Sequence, residues 1–227
     1  ALVDVLRLSE GMTYKAAAAG LNLGGGKAVI IGDPKKDKSE GLFRAFGMYI
    51  NALNGRYITA EDVGTTVRDM EKVYMETPWV TGIPKGLGGS GDPSPYTAHG
   101  VLMAIKASCK EKLGSDQLKG VRVAVQGLGN VGSNLVKYLK EEGASVIIAD
   151  IDEERLKTVA ETHGCEGSTP QDIHKVECEV FAPCALGAII NDQSIPELNC
   201  QIVAGGANNM LAETRHGDAL REMGILY

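Results

Sequence analysis

The segment Gly11–Lys27, GMTYKAAAAGLNLGGGK, carries two lysines twelve residues apart, Lys15 and Lys27, and the second closes a run of three glycines. A lysine that stays charged pairs with a carboxylate. One that moves protons near neutral pH needs its pKa brought from about 10.4 toward about 7–8. Burial behind Gly24–Gly26 and the like charge of Lys15 would both push Lys27 that way, which makes Lys27 a candidate acid/base. The plainer reading is a turn between a helix and a strand with solvated lysines. A carboxylate, Asp62, lies in TAEDVGTT at Thr59–Thr66; taken alone it suits a helix N-cap before Val63-Gly64-Thr65.

A second constellation is Gly127-Leu128-Gly129-Asn130-Val131-Gly132. GxGxxG is weak evidence by itself, but here it follows the β-branched run Val121–Val125 directly and opens the helical pattern Ser133–Glu142. The next strand pattern, Ser145–Ala149, ends on Asp150, eighteen residues after Gly132, close to the roughly 20 expected of a dinucleotide fingerprint. Gly127 would allow the tight turn, Gly129 the approach of backbone N–H groups to a pyrophosphate, and Gly132 close packing of helix on sheet. Asn130 and Val131 fall in the same cradle. Asp150 would accept from a ribose 2′-hydroxyl and repel a 2′-phosphate, which favours NAD over NADP. Arg155, a helical turn further on, is the one nearby residue that could favour NADP. The rival reading is a structural glycine turn.

The elements that must position these groups alternate throughout. Helix patterns cover Ala1–Ala19, Glu40–Leu53 and a segment starting at Gly64-Thr65-Thr66. Strand patterns cover Ala28–Ile31, Arg56–Thr59 and Val80–Ile83, and the charge run Lys35–Lys38 reads as surface. Pro84–Pro95 is so dense in Gly and Pro that it reads as a linker between two domains, 1–90 and 91–227, and a cleft between domains is where small ligands commonly bind. The expectation is that the lysines of the first face a cofactor held by the second. Beyond it come a long helix to Leu113, the strands already named, further strands at Val180–Ala182, Gln201–Ala204 and Ile225–Tyr227, and helices at Glu153–Thr162, Pro170–His174 and Thr214–Met223. Strands alternating with helices at this period predict an α/β fold with a mainly parallel, doubly wound sheet of Rossmann type, preceded by a smaller α/β domain.

Composition narrows the classes. At 227 residues and 44% hydrophobic content the chain suits one large or two small domains, and a net charge of −6 lacks the basic footprint of a nucleic-acid binder. No apolar run approaches the roughly 18 residues of a membrane span, and a cytoplasmic setting is expected. Five cysteines, Cys109, Cys165, Cys178, Cys184 and Cys200, show neither paired nor zinc-ligand spacing, so reduced, mostly buried thiols and no metal are expected. His163, His174 and His216 read as surface or helix-end residues.

The blocks GMTYKAAAAGLNLGGGKAVIIGDP, GRYITAEDVGTT, GSGDPSPYTAHG, VQGLGNVG and FAPCALGAIINDQSIPEL, in this order and spacing, resemble the glutamate/leucine/phenylalanine/valine dehydrogenase superfamily across essentially the whole chain. The resemblance implies an internal portion of such an enzyme, lacking both terminal segments. It implies NAD-dependent oxidative deamination of an aliphatic L-amino acid, with L-leucine expected because Ala28-Val29-Ile30-Ile31 follows Lys27 as in leucine-type members; phenylalanine- or valine-type specificity stays open. Lys15, with Met12 and Asn209, is implied to bind substrate, Lys27 to act as acid/base, and Asp62 to assist proton transfer at the amino group; Asn208 is an alternative match to Asn209 and a cofactor neighbour. Thr97, Cys184, Ala185, Leu186 and Ala204 are the other implied cofactor neighbours, and a homo-oligomer is implied. A non-catalytic NAD-binding regulatory module would need only Gly127–Gly132 and Asp150.

Overall fold

The computed structural model describes residues 1–185 and 187–227, so Leu186 lies outside the described residues. The chain divides into two compact units, Ala1–Pro93 and Ser94–Tyr227.

In the first unit, α1 (Leu2–Ala18) ends in a Schellman turn: the Leu21 N–H donates to Ala16 O at 2.9 Å and the Gly20 N–H to Ala17 O at 3.1 Å. Gly20 takes φ 68°, which a side chain resists. Helix α2 (Glu40–Ala52) starts at Ser39, whose hydroxyl accepts from Leu42 N–H at 3.1 Å. Helix α3 (Val67–Tyr74) starts at Thr66 with a reciprocal Thr66/Asp69 capping box. The two helices bury Phe43, Met70 and Val73 with Val80 and Ile83. Gly47 lets them close together, since a Cβ there would lie 2.8 Å from Val73 O and 3.0 Å from Glu76 Cβ.

Several expected strands of this unit are absent. Ala28–Ile31 is irregular and Ile31 is 85% exposed; an apolar run becomes a strand only beside a partner ladder, and none flanks it among the described residues. Arg56–Thr59 and Val80–Ile83 shrink to one parallel bridge, Thr59 with Val80. The Lys35–Lys38 run is not wholly solvated either: Lys38 Nζ lies 2.5 Å from Asp69 Oδ2 and 5.8 Å from the Phe43 ring centroid.

The second unit opens with α4 (Ser94–Leu113) and continues β1 (Arg122–Gln126), α5 (Asn130–Glu141), β2 (Ser145–Ala149), α6 (Glu153–His163), β3 (Glu166–Gly167), β4 (Val180–Pro183), β5 (Ile202–Val203) and α7 (Arg215–Glu222). The sheet is parallel in the order β3-β2-β1-β4-β5. Period-two alternation divides its side chains between two cores: Val123, Val125, Val146, Ile148 and Val180 pack with α4 and α5 on one face, and Ala124, Ile147, Phe181 and Val203 pack with Ile173 and Leu220 on the other. The chain order reverses between β1 and β4, and ligands of such sheets bind beyond the strand ends at that reversal.

Here too the sequence overstates some elements. Pro170–His174 forms only a 3-10 turn at Ile173–Lys175, and Ile225–Tyr227 only a bridge from Leu226 to Ile202. His174 and His216 are buried, at 9% and 2% exposure, rather than on the surface.

Ala is the better helix former by about 1 kcal/mol over Gly, while overpacking a tight contact costs about 1–3 kcal/mol. Gly47→Ala is therefore expected to lower stability in urea unfolding; a stabilised variant would contradict the close α2–α3 contact.

Candidate functional site

In the first unit the chain leaves the Gly20 turn and doubles back along α1. A Cβ at Gly25 would run into Ser9 O and Thr13, and one at Gly26 would lie 2.8 Å from the Tyr57 ring. None of Gly24, Gly25 or Gly26 has positive φ. The triple glycine thus serves as a flat strap, held by close contact rather than by unusual dihedrals, and it returns Lys27 to the side of α1.

There Lys27 Nζ contacts Asp62 Oδ2, with the lysine side chain 19% and the aspartate 42% exposed. Burial, then the Lys15 charge, hold the Lys27 pKa below its ordinary value, with Asp4 pulling the other way. A carboxylate in contact stabilises the ammonium and opposes that shift.

Asp62 does not cap α3, since Thr66 and Asp69 fill that role. Its backbone N–H donates to Thr65 Oγ1 at 2.9 Å, the same hydroxyl donates back to Asp62 O at 2.7 Å, and Val63 N–H donates to Asp62 Oδ1 at 2.7 Å. One oxygen is fixed by backbone and the other is left for Lys27. Glu61 next door is half-buried against Gly82, and its pKa is raised by burial and by Asp92. Met12 and Lys15 lie one turn apart on the same face of α1, both exposed.

In the second unit, Gly127 leaves β1 with φ 92°, and a Cβ there would fall 2.8 Å from Ala185 N. Gly132 lies directly under the Gly127 carbonyl, leaving no room for a side chain. Gly129, by contrast, has nothing within 4 Å of where its Cβ would be, and no side chain caps α5. The α5 amides therefore face an open cleft of about 460 Å³ lined by Gly129, Asn130, Ser133, Asn134, Arg155 and Thr158. Unsatisfied N–H groups and the helix dipole favour an anion there.

Asp150 is buried and turned to the loop: Oδ2 accepts from Leu128 N–H at 2.6 Å and Oδ1 from Asp152 N–H at 2.8 Å. Arg155, read from the sequence as a residue that could favour NADP, lines the cleft together with Thr158, Ser133 and Asn134, which the motif did not select; the signal available for those three was their helical spacing after Asn130 and Asp152.

Beyond the strand ends, Ala185 packs against Gly127, Cys184 against Gly132 and Gly206, and Val131 against Gly206. Ala204 N–H donates to Phe181 O at 3.0 Å, and Gly206 N–H to Cys184 Sγ at 3.4 Å. A Cβ on Gly206 would lie 2.9 Å from Val131 Cγ1 and 3.5 Å from Val101 Cγ2, and Thr97 sits one turn before Val101 on α4. Burial raises the Cys184 thiol to about 11, with the Gly206 N–H opposing, so it packs rather than reacts. Asn209 adopts φ 47° and its carbonyl accepts from Ala188 N–H at 2.8 Å; Asn208 is exposed.

Among the described residues Asp192, Glu213 and His216 converge. Arg215 already pairs with both acids, at 2.6 Å from Asp192 Oδ2 and 2.9 Å from Glu213 Oε2, and His216 Nδ1 accepts from Glu213 N–H at 3.0 Å. Both carboxylates are thus already engaged by one guanidinium, as in a surface ion-pair network.

Residues 1–79 match the family model described as Glu/Leu/Phe/Val dehydrogenase, dimerisation domain, and residues 88–153 match the model for Glutamate/Leucine/Phenylalanine/Valine dehydrogenase. The chain is 60% identical over 227 residues to leucine dehydrogenase of Geobacillus stearothermophilus, covering 100% of this chain and 62% of that relative. It is 50% identical over 232 residues to phenylalanine dehydrogenase of Lysinibacillus sphaericus, covering 100% and 61%. The crystal structure of L-tryptophan dehydrogenase from Nostoc punctiforme superposes with a TM-score of 0.75 at 42% identity, over 100% of this chain and 64% of that one. The chain thus spans somewhat under two thirds of the length of these relatives.

A lowered lysine pKa means that the folded chain binds fewer protons than the unfolded chain between the lowered value and 10.5, so stability rises with pH across that window. Removing the Lys15 charge weakens the depression. In Lys15→Ala, amine labelling of Lys27 followed by mass spectrometry across pH is expected to show a higher titration midpoint; an unmoved or lower midpoint would show that Lys15 does not act on Lys27.

Proposed function

Because this chain belongs to the glutamate/leucine/phenylalanine/valine dehydrogenase family, we propose that it is the central part of an NAD-dependent L-amino-acid dehydrogenase, with residues 1–90 handling the substrate and 91–227 the cofactor. The substrate class is branched-chain aliphatic, most of all L-leucine, and the products are the 2-oxo acid and ammonium. The observation that carries this reading is the contact between the half-buried Lys27 ammonium and Asp62, with Lys15 close enough to depress the Lys27 pKa. A module that only bound a nucleotide would need no such pair.

Lys15 pairs with the substrate α-carboxylate, and Met12 on the same helical face lines the approach. Neutral Lys27 takes a proton from the substrate ammonium, leaving the free amine from which Cα can lose hydride. NAD supplies the hydride acceptor. The imine that results is cationic, and Asp62 beside it stabilises that charge. Once Lys27 has released that proton to solvent, it takes one from the water that adds to the imine carbon and returns it to the nitrogen; Asp62 accepts the hydroxyl proton as the carbonyl forms and passes it to the departing ammonia, giving ammonium. A shuttle used twice per turnover needs a pKa near the working pH, and burial and Lys15 move Lys27 in that direction.

The residues around the α5 cleft fit a dinucleotide: open space over Gly129, uncapped amides at the helix start, and a glycine turn too close to Ala185 for any side chain. Gly127, Gly129, Asn130, Val131 and Gly132 would hold the pyrophosphate, with Asp150 behind them. Cys184, Ala185, Leu186, Ala204, Asn208 and Thr97 are proposed along the remainder of the cofactor, and Asn209 at the substrate. The match of residues 1–79 to a dimerisation-domain model supports a homo-oligomer. No helix among the described residues is long and apolar enough to cross a membrane, which fits the cytoplasmic enzyme proposed.

Lys27→Ala is expected to lower NADH formation from L-leucine by about 10²–10⁴-fold, the usual worth of a positioned acid/base, while NADH binding followed by fluorescence stays within about twofold. Retained turnover would remove Lys27 from the chemistry. Among L-leucine, L-valine, L-phenylalanine and L-glutamate, L-leucine with NAD is expected to react fastest; faster turnover of L-phenylalanine would move the substrate class.

A further inference from the structure

Lys27 is flanked on both sides by contacts to one aromatic residue. A Cβ on Gly26 would lie 2.8 Å from Tyr57 Cδ2 and Cε2, so the backbone just before Lys27 rests directly on that ring. Just after Lys27, the Ala28 N–H donates to the Tyr57 hydroxyl, which also hydrogen-bonds the Thr59 side chain. Burial pushes the Tyr57 hydroxyl pKa up against the pull of those two bonds, so the group stays neutral through the physiological range. Thr59 is itself buried and fixed by the backbone: its N–H donates to Trp79 O at 3.0 Å, and its carbonyl accepts from Thr81 N–H at 2.8 Å. Asp62 follows three residues later on the same segment. Among the described residues no backbone–backbone hydrogen bond involves residues 22–31, so the strap depends on packing and side-chain bonds for its place.

We propose that Tyr57 is a positioning residue for the candidate chemistry: its ring and hydroxyl fix the Lys27 backbone on the segment that carries Asp62, and so set the half-buried contact between the two groups. The effect on turnover rests on reading Lys27 as the acid/base; the placement itself does not. A lysine ammonium sits on a flexible four-carbon stem, so its meeting one carboxylate oxygen depends on where the backbone beneath it is held. Phenylalanine would keep the ring under Gly26 but leave the Ala28 amide without its acceptor, and leucine would supply neither. Without the tie, Lys27 moves toward water and loses the burial that lowers its pKa.

The test is amine labelling of Lys27, followed by mass spectrometry across pH, in the 227-residue chain and in its Tyr57→Phe and Tyr57→Leu variants, alongside urea unfolding. Both substitutions are expected to raise the Lys27 titration midpoint toward the ordinary lysine value, Tyr57→Leu the more. A residue that only supported the fold would lower the urea midpoint and leave Lys27 titrating as before in the folded protein. In L-leucine turnover Tyr57→Leu is expected to lower kcat by about 10²-fold, the scale of a misplacement by about 1 Å, and Tyr57→Phe by a smaller factor. KM should stay within about threefold, because Lys15 on α1 is untouched. Tyr57→Phe decides the matter if Tyr57→Leu does not fold. An unmoved or lower Lys27 midpoint in Tyr57→Phe, or turnover by either folded variant at the unsubstituted rate, would overturn the proposal. A raised midpoint in a chain that turns over no L-leucine would uphold the placement and count instead against the dehydrogenase reading.

Discussion

An ammonium group half out of water, in contact with a carboxylate and within the field of a second ammonium, is the constraint on which the candidate chemistry depends. Burial and Lys15 favour the neutral amine, while Asp62 favours the charged one. A group balanced between these influences can change protonation at modest cost, whereas a solvated lysine would remain charged through any cycle near neutrality. The backbone around it serves that balance. The Schellman turn at Gly20 reverses the chain, the glycine strap lies flat on α1 and Tyr57, and the Thr65 hydroxyl holds Asp62 by both its amide and its carbonyl.

The second unit meets a different requirement, an anion held without a cationic side chain at its centre. The parallel sheet delivers the ends of β1, β4 and β5 to one edge, and the order reversal between β1 and β4 leaves space there. Gly127 and Gly132 bring α5 down onto the sheet, and its uncapped amides supply the positive end of a dipole. Asp150 at the end of β2 accepts the Leu128 amide, and Arg155 lines the cleft. Cys184 belongs to this packing: its thiol is protonated at physiological pH and accepts the Gly206 amide.

Where the sequence carried both a period and its punctuation, the elements were legible. Strand, glycine fingerprint, helix and strand from Arg122 to Ala149 stand in the order read from the pattern. Ala28–Ile31 misled because apolarity alone does not make a strand; the ladder comes from a neighbour, and none flanks this run among the described residues. The triple glycine announced close approach but not to what, and it meets the chain's own helix. Asp62 lost its reading as a cap to Thr66 and Asp69, a pair three residues apart whose reciprocal bonds outcompete a lone aspartate. Burial of His216 and the facing of Arg155 into the cleft were beyond pattern reading, since both depend on which element packs beside them.

The most direct measurement of the Lys27–Asp62 pairing is a double-mutant cycle on L-leucine turnover with Lys27→Met, Asp62→Asn and the double variant. Groups that act as one unit are strongly non-additive, so each single substitution should remove most of the rate and the double variant should be little worse than either. Losses that add in free energy, each residue contributing independently of the other, would show that the contact between them is not the working part of the site.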